Sequence, residues 1–206
     1  VGLFKEYQEL LGIPVDMNEV YGKLYNNALT GDADCGGLIS YNYISGEPLT
    51  GLAEGRPLFV RSANDKFNLA NFIRTHLYAS VGVLKLGNDI LFNEEKVSVD
   101  RITGHGGLFK TKGVGQRVLA AAINSPISVM ETAGEGGAWG IALLASYLVN
   151  NEKQQTLADY LDEVVFAGDA GVEIKPTKED VDGFNKYIES YKACLAIEEA
   201  AVKAKQ

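Results

Sequence analysis

Thr103-Gly-His-Gly-Gly-Leu-Phe109, the helix-like run from Gly113 to Ile123, and Val129-Met-Glu-Thr-Ala-Gly-Glu-Gly-Gly-Ala-Trp-Gly140 decide how this chain is read. Twice in succession a strand ends in a glycine-rich turn that opens a helix. Such a turn lets backbone N–H groups converge on an anion, with the positive end of the helix dipole behind them. The pattern points to nucleotide phosphates, with Gly104, Gly106 and Gly107 leaving room for close approach. Lys110, Thr111 and Lys112 sit in the same loop and can add charge or hydroxyl contacts. On the glycines alone, a tight strand-to-helix corner without a ligand is an equal alternative.

Outward from these turns, Val97-Ser-Val-Asp-Arg-Ile102 and Ile127 to Met130 predict strands, and 113–123 and 137–149 predict helices. Strand and helix alternating at this spacing predict an α/β fold with parallel strands covered on both faces. Trp139 is expected in the core rather than as a platform for a base. Near the start, Leu3, Phe4, Tyr7, Leu10 and Leu11 share one helical face, and Asp16 is placed to cap a helix over 17–29. Residues 30–62 are glycine-rich, with extended segments at 38–44 and 57–61 that read as a hairpin insertion. Residues 68–91 form the longest apolar-periodic segment, though Gly82 and Gly87 weigh against one straight helix. Thr156 with Asp159, and Thr177 after Pro176, predict capped helices over 157–166 and 178–203. The expected division is a domain over 1–150 carrying the insertion, and a helical extension of it over 151–206.

Composition narrows the class. A chain of 206 residues, 46% hydrophobic and 22% charged, is long enough for one good core. A formal net charge of -8 with no basic block argues against nucleic acid or anionic membranes as partners. No apolar run reaches membrane-spanning length, and the expected location is cytoplasmic. Cys35 and Cys194 have no CxxC spacing and read as idle thiols. His76 and His105 stand on different elements without carboxylates at ligand spacing, so no metal centre is expected. Nothing in the spacing of Asp32, Asp34, Glu47 and Glu54 singles out a general base. The chain opens on an amphipathic pattern without an initiator Met, which suggests a piece of something longer.

Three blocks together resemble the carboxyl-terminal domain of the FGGY carbohydrate kinases. Ser40-Tyr-Asn-Tyr-Ile-Ser-Gly-Glu47 is similar to that family's Pro-Tyr-Leu-Ser-Gly-Glu-Arg segment. Ile102-Thr-Gly-His-Gly-Gly-Leu108, with Gln116 beyond it, is similar to the Gly-Gly-Gly-Ala nucleotide loop and helix, departing from it at His105 and Leu108. Ser125-Pro-Ile127 through Glu131 to Gly140-Ile-Ala-Leu-Leu-Ala145 is similar to the last strand and its glycine–alanine helix.

The resemblance implies a ribonuclease H-like domain of the actin/hexokinase type, the carboxyl-terminal half of a two-domain kinase. It implies ATP and Mg²⁺ as cofactors and a ketose or polyol, on the xylulose kinase-like pattern, as phosphate acceptor. The implied nucleotide-binding residues are Gly104, Gly106, Gly107, Leu108, Lys110 and Thr111. The family's catalytic aspartate and phosphate hairpin have no match here, so no catalytic residue is expected in this chain and the sugar is reached through a domain upstream of Val1. A homodimer stays open. The alternatives are a non-catalytic nucleotide-binding module of the same ATPase superfamily, and a glycine-rich structural domain without a ligand.

Overall fold

The computed structural model describes residues 1–150, 155–167 and 171–204. Helices α1 (Gly2–Leu10) and α2 (Met17–Ala28) come first, and the Asp16 carboxylate accepts the Asn18 N–H at the start of α2. Strands β1 (Ile39–Tyr41) and β2 (Leu58–Val60) pair antiparallel with Ile39 opposite Val60. Helix α3 (Leu69–Asp89) follows, capped by Asn68. It runs unbroken through both of its glycines and widens into a π-turn at Ile90–Glu94. Ile73, Leu77 and Val81 recur every fourth residue and are buried on one face. Their burial outweighs the roughly 1 kcal/mol that each glycine costs a helix.

The two strand–turn–helix units are present. Strand β3 (Ile102–Thr103) leads to α4 (Val114–Ile123), and β4 (Ile127–Val129) leads to α5 (Gly136–Asn150). Strands β3 and β4 are parallel, with Ile102 opposite Ile127. After the short α6 (Leu157–Tyr160), capped by Thr156, strand β5 (Val172–Ile174) pairs antiparallel with β4. The sheet order is β3-β4-β5. Helix α7 (Lys178–Ala193), capped by Thr177, and α8 (Leu195–Ala204) close the chain.

Several expectations need correction. The sheet is not parallel throughout, because β5 returns antiparallel. Residues 97–101 form no strand: Val97 and Val99 alternate as a strand would, but both are exposed, and the Val97 N–H turns back to the Leu91 carbonyl rather than to a strand. The segment 157–166 is helical only to Tyr160 before a π-turn, and 178–203 breaks at Cys194 into two helices. Trp139 is half-buried against Phe166, ring centroids 5.6 Å apart, rather than in the core. Helix α5 buries none of its residues and leaves Ile141, Leu144, Leu148 and Val149 exposed.

The core lies between α3, α4 and α7, filled by Tyr78, Val114, Val118, Phe184, Tyr187 and Tyr191. One ionic group joins these helices. Asp180, only 2% exposed, accepts from Arg74 at 2.8 Å and from Arg117 at 2.7 Å, and its partner Arg74 is 3% exposed. Arg74 also donates to the carbonyls of Leu29 and Gly31 beyond α2 and to the Tyr78 hydroxyl. Every guanidinium nitrogen has a partner, which is what makes a buried charge tolerable. Burial raises the Asp180 carboxyl, but hydrogen bonds from Arg117 and Thr177, and the charge of Arg117, hold it below its ordinary value of 3.8.

Replacing Asp180 by Ala leaves Arg74 buried without its counter-ion and should cost about 3–5 kcal/mol in a urea-unfolding measurement. Because the folded carboxyl titrates below its unfolded value, its contribution is complete above that ordinary value. It is lost as pH falls through the lower folded one. The acid limb of the stability curve should therefore flatten in Asp180→Asn.

Candidate functional site

Six loop residues were expected to touch a nucleotide, and the fold gives them different tasks. The Gly104 N–H donates to the Ser128 carbonyl at 2.9 Å, extending the β3–β4 pairing. A methyl at Gly104 would overlap the Phe109 ring, so the absence of a side chain there serves packing. The Gly106 N–H donates to the Ala133 carbonyl at 2.8 Å, which ties the first turn to the second. Gly106 has φ 105 and ψ -177, a conformation open essentially only to glycine. These two amides are committed within the protein and shape the loop. Gly107 differs: it begins the turn Gly107–Phe109, is exposed, and has open space where a Cβ would stand.

Gly107, Lys110 and Thr111 line a cleft of about 570 Å³, opposite Asn18, Tyr21 and Tyr25 of α2. Tyr21 and Tyr25 meet edge to face with centroids 5.5 Å apart. They also line a larger, more apolar cavity of about 720 Å³, together with Phe4, Asn42, His76 and Leu108. Gly107, Lys110 and Thr111 line the smaller cavity of this hollow and Leu108 the larger, with Tyr21 and Tyr25 common to both, while Gly104 and Gly106 line neither.

Polar groups around the hollow are held in place. Lys110 Nζ is 2.6 Å from the Glu135 carboxylate, with both side chains largely exposed, and this contact holds the Glu135 carboxyl below its usual range. His76 Nδ1 lies 2.8 Å from Ser40 Oγ, and burial pushes the imidazole down, so it is neutral at pH 7. Burial raises the Tyr25 phenol, with the neighbouring Tyr21 adding to the effect, so Tyr25 stays protonated and can donate. His105 lies not on the hollow but against Gly136 at the start of α5. Gln116 of α4 donates to the carbonyls of Ile127 at 3.0 Å and Val172 at 2.7 Å, which seats the helix on β4 and β5.

Asn18, Tyr21 and Tyr25 were missed in the sequence. The only signal was their spacing, which places three amphipathic side chains on one helical face. Nothing local says that the face looks into a cleft. Among the described residues no group of three or more His, Cys, Asp or Glu side chains is arranged to hold a metal ion.

The model of the FGGY family of carbohydrate kinases, C-terminal domain, matches residues 10–149. The chain belongs to this family. Among solved FGGY-like folds, gluconate kinase from Lactobacillus acidophilus superposes with a TM-score of 0.66 at 21% identity, covering 88% of this chain and 35% of that one. The ligand-bound xylulose kinase from Lactobacillus acidophilus gives 0.64 at 21% identity, covering 86% and 35%. Plasmodium falciparum glycerol kinase with ADP gives 0.62 at 17% identity, covering 96% and 37%. At these identities the likeness is one of fold. The chain spans about a third of the length of those kinases. No curated protein matches it in sequence.

Replacing the loop glycines one at a time should separate frame from lining. Gly106→Ala forces a side chain into a glycine-only conformation and should lower stability by about 1–3 kcal/mol. Gly107→Ala meets open space and should stay within about 0.5 kcal/mol of the parent. Chemical unfolding of the two variants checks this, and equal losses would show that Gly107 is also part of the frame.

Proposed function

We propose that this chain is the nucleotide-side domain of an ATP-dependent carbohydrate kinase. The observation carrying the reading is the cleft in which Gly107, Lys110 and Thr111 face Asn18, Tyr21 and Tyr25. Its dimensions and its mixture of aromatic wall, amide, hydroxyl and ammonium fit a nucleoside with attached phosphates. Membership of the family and the paired parallel strand–turn–helix units support a ribonuclease H-like arrangement. The acceptor class in this reading is a ketose or polyol, with xylulose first, and the protein works in the cytoplasm.

ATP supplies the γ-phosphoryl group that moves in line to a sugar hydroxyl. The residues of this chain bind and orient. Tyr21 and Tyr25 offer ring faces and edges to a flat base, the open surface of Gly107 lets the ligand come close to the backbone, and Lys110 opposes negative charge. Mg²⁺ finds no cage of three or more His, Cys, Asp or Glu side chains among the described residues. Proton abstraction from the acceptor needs a carboxylate within hydrogen-bond reach of that hydroxyl. The reading places that group, and the domain that holds the sugar, in other polypeptide of the same kinase. The bare α5 supports this. A helix apolar all round belongs in a covered position, and the exposed Ile141, Leu144, Leu148 and Val149 mark a face for further chain.

Two outcomes are expected. In the full-length kinase, Gly107→Val should fold normally yet raise the KM for ATP on the order of tenfold, corresponding to roughly 1.4 kcal/mol of lost contact. The KM for sugar should move less. Steady-state kinetics with both substrates varied gives the answer, and an unchanged KM for ATP would reduce the loop to a corner. The 206-residue chain alone should release no ADP in response to xylulose, ribulose or glycerol in a coupled assay. Sugar-dependent turnover near that of ordinary kinases would place the base within this chain.

A further inference from the structure

Two links tie the first glycine turn to the second. One is permanent: the Gly106 N–H to Ala133 carbonyl bond joins backbone to backbone. The other joins side chains. Lys110 Nζ sits 2.6 Å from Glu135 Oε1, with the two side chains 58% and 74% exposed. An ion pair this exposed contributes little to stability and re-forms easily. Lys110 also lines the cleft beside Gly107 and Thr111, so one residue belongs both to the cleft wall and to the pair with Glu135.

We infer that Glu135 is a latch on Lys110, holding its ammonium until a nucleotide phosphate takes it over. The inference rests on the nucleotide reading of the cleft and adds how that cleft is regulated. A phosphate group carries more charge than one carboxylate and offers several acceptor oxygens, so it competes well for a point-charge donor such as lysine. Glu135, once released, turns to water at little cost because it is already mostly exposed. Until release it holds the cation and presents negative charge to an incoming anion. Glu135 therefore acts as a positioning residue that sets how much phosphate charge a ligand needs. Its place immediately before α5, which starts at Gly136, means that opening the latch removes the side-chain link at the head of that helix while the Gly106–Ala133 bond still joins the two turns.

The test is calorimetric binding of ADP and of adenosine to the full-length kinase at low ionic strength. Variants are Glu135→Gln, Lys110→Met and the two combined. Glu135→Gln should tighten ADP about two- to fivefold, the range expected when an exposed ion pair is removed from competition. Adenosine, which carries no phosphate, should bind the parent and Glu135→Gln alike. Lys110→Met should weaken ADP, and the double variant should match Lys110→Met alone. Unchanged or weaker ADP binding by Glu135→Gln would overturn the latch. So would a gain that persists without Lys110, since Glu135 would then act by repulsion alone, and so would an equal gain for adenosine. Failure of the parent to bind ADP would overturn the nucleotide reading and the latch with it.

Discussion

Asp180 and its two arginines organise the molecule. Arg74 stands on α3, Arg117 on α4 and Asp180 in the first turn of α7, so one carboxylate joins the three helices of the core. Arg74 reaches further, to the carbonyls of Leu29 and Gly31 where α2 gives way to the chain leading to β1. The consequence concerns the cleft. One wall is α2, through Asn18, Tyr21 and Tyr25, and the other is the loop that runs directly into α4. The two walls are set against one another through a buried ionic group whose polar partners, Tyr78, Leu29, Gly31 and Thr177, lie outside the cleft lining. A pair of charges so well buried tolerates little displacement, because losing one partner strands the other in an apolar interior.

The glycine turns divide their labour in a way that corrects the simple picture of amides converging on an anion. Gly104 and Gly106 use their N–H groups on Ser128 and Ala133, and their lack of a side chain serves ring packing and an unusual backbone conformation. Gly106 and Gly107 both have open space where a Cβ would stand, but only Gly107 has it without a backbone conformation reserved for glycine. A glycine-rich motif thus combines residues that build a shelf with one that forms its free surface. The cation expected in the loop, Lys110, is present at the cleft but already paired. Affinity at such a site depends as much on what a ligand must displace as on what it finds vacant.

Legibility varied with the range of the interactions. Caps were readable because they are local: Asp16, Thr156 and Thr177 each accept a backbone N–H two or three residues onward. The parallel pairing of β3 with β4 followed from two strand–turn–helix units in a row, since such a crossover returns a strand alongside the first. Strand β5 carried no comparable signal. Val172, Glu173 and Ile174 are too few for an alternation, and they extend only because β4 has a free edge. The converse error lay at 97–101, where alternating valines have no neighbouring strand to pair with. The break at Cys194 was hidden for the same reason: apolar residues continue across it, and only packing decides where α7 ends.

By itself the sequence determined which segments are helical, where most of them begin, and that two glycine turns follow parallel strands. All of these rest on contacts within a few residues or on the period of the apolar positions. It also carried the family blocks, since those are runs of contiguous residues. The tertiary structure decided what each glycine does, because an N–H is free or committed only according to what lies across from it. It brought α2 to the loop and so made Tyr21 and Tyr25 part of the cleft wall. It also gave Lys110 its partner 25 residues away in Glu135. Pairings between remote segments depend on the packing of the whole core, and no local spacing in the chain encodes them.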